Sequence, residues 1–217
     1  MKITVLLPTL NEEQGIVQTI QDIRTYLPED DILVIDGLST DKTVELARQQ
    51  NVSVLMVKEK GKGIAVQKAL KVIKTDYALM LDGDFTYPAK YIPEIIYNLN
   101  LGYDVVLGYR KTRERHSMTL INALGNKGLS LLASVVYRKY VYDVCTGMWG
   151  FNTYALQHLA LQSDGFSLEA DLFKNAVKNK CKIKQLPIEY RARLKQSKTK
   201  LNIGHGFEIG KFILRGL

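Results

Sequence analysis

Long apolar runs are missing from this chain. No stretch of about 18 apolar residues occurs, so no transmembrane helix is expected. Cysteine is scarce: Cys145 and Cys181 lie far apart, fit neither a metal nor a redox spacing, and read as buried thiols. The histidines, His116, His158 and His205, share no metal-binding spacing. The helix-turn-helix, zinc and RNP-type aromatic patterns of nucleic-acid binders are also absent, so no nucleic-acid partner is expected. There is no repeat and no low-complexity segment. The stretch Met1-Lys2-Ile3-Thr4-Val5 enters a strand pattern directly, without the apolar core and small-residue cleavage site of a signal peptide. The expectation is a protein made and kept in the cytosol.

What is present describes an ordinary domain. The 217 residues are 46% hydrophobic and 24% charged, enough to bury a real core and too apolar for disorder. A net charge of +8 suits an anionic partner such as a phosphorylated substrate or a membrane surface.

The first half alternates strand and helix patterns. Apolar runs at Ile3 to Leu7, Ile32 to Ile35, Val52 to Val57 and Tyr77 to Leu81 read as buried strands. Helical patterns lie between them, at about Gly15 to Tyr26, Asp41 to Gln50 and Ile64 to Ile73. Thr9-Leu10-Asn11-Glu12 fits a capping box for the first helix, and Ser39 or Thr40 fits a cap for the second. This alternation predicts an α/β fold with a mostly parallel sheet flanked by helices. The loops after the first, second and fourth strands then share one sheet edge, where ligands bind in such folds. Each carries acid: Glu12, Asp36 and the Asp82/Asp84 pair. Taken alone, Asp82-Gly83-Asp84 is a solvated turn. Beside two other acidic loops it reads as a divalent-metal site, Mg²⁺ or Mn²⁺, set against a diphosphate. Lys62 and Gly63 open the third helix, where amides and a lysine can meet phosphate.

Three motifs in this order resemble the family 2 glycosyltransferases of the GT-A fold. They are Pro8-Thr9-Leu10-Asn11-Glu12, Asp36-Gly37-x-Ser39-x-Asp41-x-Thr43 and Asp82-x-Asp84. The resemblance implies that Pro8, Leu10, Asn11, Glu12, Asp36 and Asp82 bind the base and ribose of a nucleotide-sugar, while Asp82 and Asp84 hold the metal. Glu12 and Asp36 fit either uracil or guanine. Thr86 stands where dolichyl-phosphate mannose synthases often place a glutamine as a further metal ligand.

The second half carries the acceptor side. A helix at about Lys90 to Asn100 leads to a strand from Asp104 to Leu107, ending Gly108-Tyr109-Arg110. Arg110 reads as a planar cation facing phosphate oxygens. KTRERH, residues 111–116, reads as a solvated loop that includes Arg115. A helix running from Leu120 towards Val136 is dense in apolar residues, as a membrane-surface helix or a core helix would be. A strand from Met148 to Asn152 and a last strand from Ile183 to Ile188 follow. Gly108-Tyr109-Arg110, Asn122-x-x-Gly125-Asn126, Asp143-x-x-Thr146-Gly147, the segment around Phe166 and Glu169, and the cationic run from Arg191 to Lys200 resemble segments of polyprenyl-phosphate glycosyltransferases. That resemblance implies catalytic roles for Asp84, Arg110 and Asp143. It also implies a grip on the acceptor phosphate by Arg110, Arg115, Asn122, Asn126, Arg193 and Lys198.

The expected organisation is one glycosyltransferase domain over residues 1–201. Its nucleotide half covers about 1–110 and its acceptor half about 111–201, and a tail over 202–217 is able to form an amphipathic helix. The expected activity is metal-dependent, inverting transfer of a sugar from a UDP- or GDP-linked donor to a polyprenyl (dolichyl or undecaprenyl) phosphate. It would act peripherally at the cytoplasmic face of a membrane. Two alternatives stand beside it. One is transfer to a saccharide hydroxyl, which requires a base, with Asp143 or Glu169 as candidates. The other is a basic nucleotide-binding module without catalysis.

Overall fold

The computed structural model describes residues 1–28, 30–115, 117–194 and 203–215. One sheet of seven strands organises them: β1 (Ile3–Thr9), β2 (Asp31–Asp36), β3 (Ser53–Met56), β4 (Tyr77–Met80), β5 (Val105–Arg113), β6 (Trp149–Asn152) and β7 (Ile183–Tyr190), in the spatial order β3-β2-β1-β4-β6-β5-β7. All neighbours run parallel except β6, which is antiparallel to both β4 and β5. The predicted mostly parallel α/β sheet is what forms.

The helices are α1 (Ile16–Tyr26), α2 (Thr43–Gln49), α3 (Lys62–Leu70), α4 (Ile92–Asn100), α5 (Leu120–Val136), α6 (Thr153–Gln157), α7 (Leu168–Lys178) and α8 (Ile203–Leu214). One 3-10 turn, Ala89–Tyr91, precedes α4. The apolar runs of the first four strands are buried because helices cover both faces of the sheet. Ile16, Ile20 and Ile23 of α1 pack with Val5, Leu7 and Leu79 on one face. Val66 and Ala69 of α3 and Phe173 of α7 pack with Leu6 and Met80 on the other. Burying one such aliphatic side chain contributes about 1.5–3 kcal/mol, so these two layers supply the main driving force for folding.

Four local expectations are corrected. Thr9 is no helix cap: the β1–β2 ladder continues to Thr9 opposite Asp36, and α1 begins only at Ile16, after Gly15 with no side-chain cap. The Thr9 hydroxyl donates to Asp36 Oδ2 at 3.3 Å instead. Neither Ser39 nor Thr40 caps α2, which starts after Lys42 without a side-chain cap. Part of KTRERH is strand, not loop: β5 runs on to Arg113, paired with β7 as far as Tyr190 and with an irregularity between Arg110 and Thr112. The predicted last strand likewise extends to Tyr190. At Thr9, KTRERH and the last strand, pairing overrides a local propensity; Ser39 and Thr40 are instead taken up by Asp36 and Asn11. Helix α6 was not anticipated at all.

Candidate active site

The carboxyl ends of β1, β2 and β4 meet at one edge, where the first two motifs form a laced platform. Asp36 is fully buried, and its oxygens accept from the Ser39 amide at 2.8 Å, the Ser39 hydroxyl at 2.5 Å and Thr9. Asn11, in the left-handed region at φ 53°, accepts through Oδ1 from the Thr40 amide at 2.7 Å and donates its own amide to Ser39 Oγ at 2.8 Å. The Glu12 amide donates to Thr43 Oγ1 at 2.7 Å, and the Glu13 amide to Asp41 Oδ2 at 3.1 Å. Asp36, Asn11 and their neighbours therefore lock the two loops together. Pro8 stands in β1, and Leu10 is left exposed on the platform.

Beside the platform lies the Asp-x-Asp turn, each carboxylate facing a cation from a distant element. Lys62, the first residue of α3, places Nζ 2.6 Å from Asp82 Oδ1 and 2.6 Å from Glu169 Oε1 of α7. Arg193 reaches Asp84 Oδ2 at 2.6 Å. Burial works against charge on all three members of the Lys62 group, but the two carboxylates hold the Lys62 ammonium well above the ordinary lysine value. Burial also opposes ionisation of Asp82, yet Lys62, Arg193 and Arg110 keep its carboxyl below the usual aspartate value. At Glu169 burial prevails over Lys62 and pushes the carboxyl up.

Two glycines shape this corner by close approach. A Cβ at Gly147 would collide with the Asp82 carboxylate, so the bare Gly147 backbone is the wall behind Asp82. A Cβ at Gly63 would collide with the Ser163 carbonyl. The glycine of the 62–63 turn therefore serves packing against residues 163–164, while Lys62 alone projects into the site.

Asp84 is oriented by its own turn. Its Oδ1 accepts from the Thr86 hydroxyl at 2.6 Å and the Thr86 amide at 3.1 Å. Thr86 thus fixes Asp84 in place of supplying a glutamine-like ligand. Phe85 between them is left-handed at φ 65° and lies 4.3 Å from the Arg191 guanidinium, which pairs with Asp22 at 2.8 Å. Among the described residues no three His, Cys, Asp or Glu side chains gather to hold a metal. Asp82 and Asp84 do offer hard carboxylate oxygens, the donors that Mg²⁺ and Mn²⁺ take. They fit a site of two protein ligands completed by diphosphate and water.

Arg110 is placed differently from the expectation. It is 7% exposed and faces Asp143, with Nε 2.6 Å from Oδ2 and Nη2 2.7 Å from Oδ1. Nη2 also donates to the Cys145 carbonyl at 3.2 Å, and the guanidinium lies over the Tyr190 ring at 5.1 Å. Strand alternation in β5 turns it inward, where both oxygens of Asp143 meet it. This arrangement makes the pair a brace between β5 and the 143–147 segment. Arg115 is exposed in the turn before α5. Asn122 and Asn126 lie in the first two turns of α5; Thr119 caps the helix by accepting the Asn122 amide at 3.2 Å, and Asn126 contacts Met118 Sδ at 3.5 Å. Lys198 lies outside the described residues.

The motifs did not reveal Tyr87, the Gly147 wall or the Lys62 bridge to Glu169. The bridge joins residues 107 apart in sequence; the sequence marks out both Lys62 and Glu169, but nothing in it pairs them.

The Glycosyl transferase family 2 model matches residues 4–160. A dolichyl-phosphate hexose transferase of Haloferax volcanii is 33% identical over 214 residues, covering 98% of this chain and 92% of that protein. Glycosyltransferase AglJ of the same organism is 34% identical over 202 residues, covering 92% of this chain but 66% of that protein. Among solved structures, glucosyl-3-phosphoglycerate synthase from Mycobacterium tuberculosis, in complex with Mn²⁺, UDP and phosphoglyceric acid, superposes with a TM-score of 0.80 over 99% of this chain and 76% of that one, at 19% identity. At that identity the likeness is one of fold.

Proposed function

This chain belongs to glycosyl transferase family 2 and is similar to a dolichyl-phosphate hexose transferase, and from that premise we propose that it moves a hexose from a nucleotide-sugar to a polyprenyl phosphate. The supporting observation is that both carboxylates available as a general base are engaged by cations. Asp143 is held through both oxygens by Arg110, and Glu169 is held by Lys62. A saccharide hydroxyl needs a base to become a nucleophile. A lipid phosphate, with a second pKa near ~6, is already largely dianionic at neutral pH and needs only positioning.

On this reading, the platform of Leu10, Asn11, Glu12 and Asp36 receives the nucleoside. Asp82 and Asp84 hold Mg²⁺ or Mn²⁺, which when bound offsets the charge that develops on the leaving diphosphate. Lys62, bridging Asp82 and Glu169, fixes the carboxylate nearest the ribose and donor sugar. Arg193, with Arg115, Asn122, Asn126 and Lys198 on the acceptor side, orients the acceptor phosphate for displacement from the face opposite the diphosphate, inverting the anomeric carbon. Arg110 acts by bracing Asp143. The Haloferax volcanii relative's name carries dolichyl phosphate as its substrate, in keeping with this acceptor.

The outward face of α5 fits a lipid-borne acceptor. Leu120, Ile121, Leu124, Leu131 and Val135 are exposed along it, and α5 contains Lys127 but no acidic residue. We take this face, with the exposed Phe207 of α8, to lie on an anionic bilayer. Among the described residues no helix is long and apolar enough to cross a membrane.

The acceptor assignment is tested by offering a polyprenyl phosphate and the corresponding polyprenol side by side with one nucleotide-sugar. Only the phosphate should be glycosylated. Equal transfer to the alcohol would require a working base and would overturn the assignment.

A further inference from the structure

We propose that Tyr87 is a positioning residue for donor binding: through Gly147 it sets the Asp82 carboxylate. This rests on the donor site described above and adds to it a residue outside every recognised motif. Tyr87 is 3% exposed, and its phenol oxygen accepts the Gly147 amide hydrogen at 2.7 Å. Gly147 is the wall against which Asp82 stands, close enough that a single added methyl group would strike both carboxylate oxygens. The position of the Gly147 backbone therefore limits where Asp82 can lie, and the Tyr87 hydroxyl ties that backbone down.

Two neighbouring bonds act on the residue before Gly147. The Thr146 hydroxyl donates to the Gly108 carbonyl, and Trp149 Nε1 donates to the Thr146 carbonyl at 2.6 Å. The first anchors the Thr146 side chain; the second holds the carbonyl end of the same planar peptide whose N–H end Tyr87 holds, so the hydroxyl of Tyr87 completes the clamp on the Gly147 backbone. Tyr87 belongs to the same loop as Asp82 and Asp84, three residues beyond Asp84. It fastens the end of the metal loop to the turn that backs its beginning. Its ring meets Tyr190 edge-on at 5.2 Å between centroids, and Tyr190 in turn carries the Arg110 guanidinium on its face. One side chain thus joins the metal loop, the 143–147 turn and the end of β7 that leads to Arg193.

The hydroxyl and the ring are separable. Tyr87→Phe keeps the ring packing and leaves the buried Gly147 amide without its acceptor, a loss of the kind that weakens a dependent equilibrium about tenfold or more. The experiment is titration of Mn²⁺ into wild type and Tyr87→Phe in the presence of UDP or GDP, read by the electron paramagnetic resonance of free Mn²⁺, with thermal melting and steady-state kinetics alongside. The expected result is about tenfold weaker Mn²⁺–nucleotide binding and a matching rise in donor KM, with acceptor KM unchanged. A variant that melts lower but binds Mn²⁺–nucleotide and donor as wild type does would overturn the proposal and leave Tyr87 a packing residue. Wild type that binds no Mn²⁺ with either nucleotide would overturn the donor site itself, and Tyr87's role with it. Gly147→Ala serves as the reference for a displaced Asp82 and should lose Mn²⁺–nucleotide binding.

Discussion

Lys62 shows how much one residue decides here. It is the shared counter-ion of the buried Glu169 and the partly exposed Asp82. Removing one partner of a buried ion pair typically costs about 3–5 kcal/mol, because a charge is left without compensation. Lys62→Met should therefore destabilise the fold strongly at neutral pH. The sign of the pH dependence follows from the carboxyls. In the wild type Asp82 titrates below its usual value, so its contribution is present above the ordinary aspartate pKa and is lost only as pH falls through the lower folded value. Without Lys62, burial would raise the Glu169 carboxyl further, while Arg193 and Arg110 would still face Asp82. A raised Glu169 carboxyl makes the variant most stable in acid, with stability falling as pH rises through the range above the ordinary glutamate value. Thermal melting of the variant across that range should show this slope, and a flat profile parallel to wild type would show that Lys62 does not neutralise the pair. None of this was legible in the sequence. Lys62 was readable as a cation at a helix start, but its partners depend on β4 lying next to β6, which brings the α7 side of the molecule over the metal loop. Asp82 and Asp84 were legible because a buried apolar run ended in two acids. That Lys62 and Arg193, each expected at the site, would pair with them was not.

The elements divide in the same way. Helices and strands with a full apolar pattern, such as β1, β2, α1 and α5, were readable. The failures came where pairing reached beyond the apolar run. Thr9 looks like a cap because Glu12 follows it, yet it completes the β1–β2 ladder. Lys111 to Arg113 look like loop because they are polar, yet they extend β5 along β7. For α5 the sequence left two readings, membrane helix or core helix, and in the structure one face is packed and the other exposed. Leu129, Leu132 and Val136 pack inward with Ile209 and Phe212 of α8, while Leu124, Leu131 and Val135 point out. Leu124→Glu with Leu131→Glu should abolish co-sedimentation with anionic vesicles. The same variant should keep its melting temperature, because neither side chain is in the core. Unchanged sedimentation would remove α5 as the docking face.

At the scale of the whole molecule, the charge of +8 and the sheet edge work together. Lys62 and Arg193 already face the Asp82 and Asp84 carboxylates, so the net positive charge of the chain favours anionic ligands. Vesicle binding should accordingly weaken as salt shortens the Debye length below about 10 Å. The central claim is metal-dependent transfer of a hexose to a lipid phosphate. Its most direct test is incubation with labelled UDP-glucose, UDP-N-acetylglucosamine, UDP-galactose or GDP-mannose, a short polyprenyl phosphate and Mn²⁺ or Mg²⁺, followed by organic extraction. Label should enter the lipid phase from one of these donors and be lost on adding EDTA. An unlabelled lipid phase, with nucleotide released only when free saccharides are supplied, would contradict it.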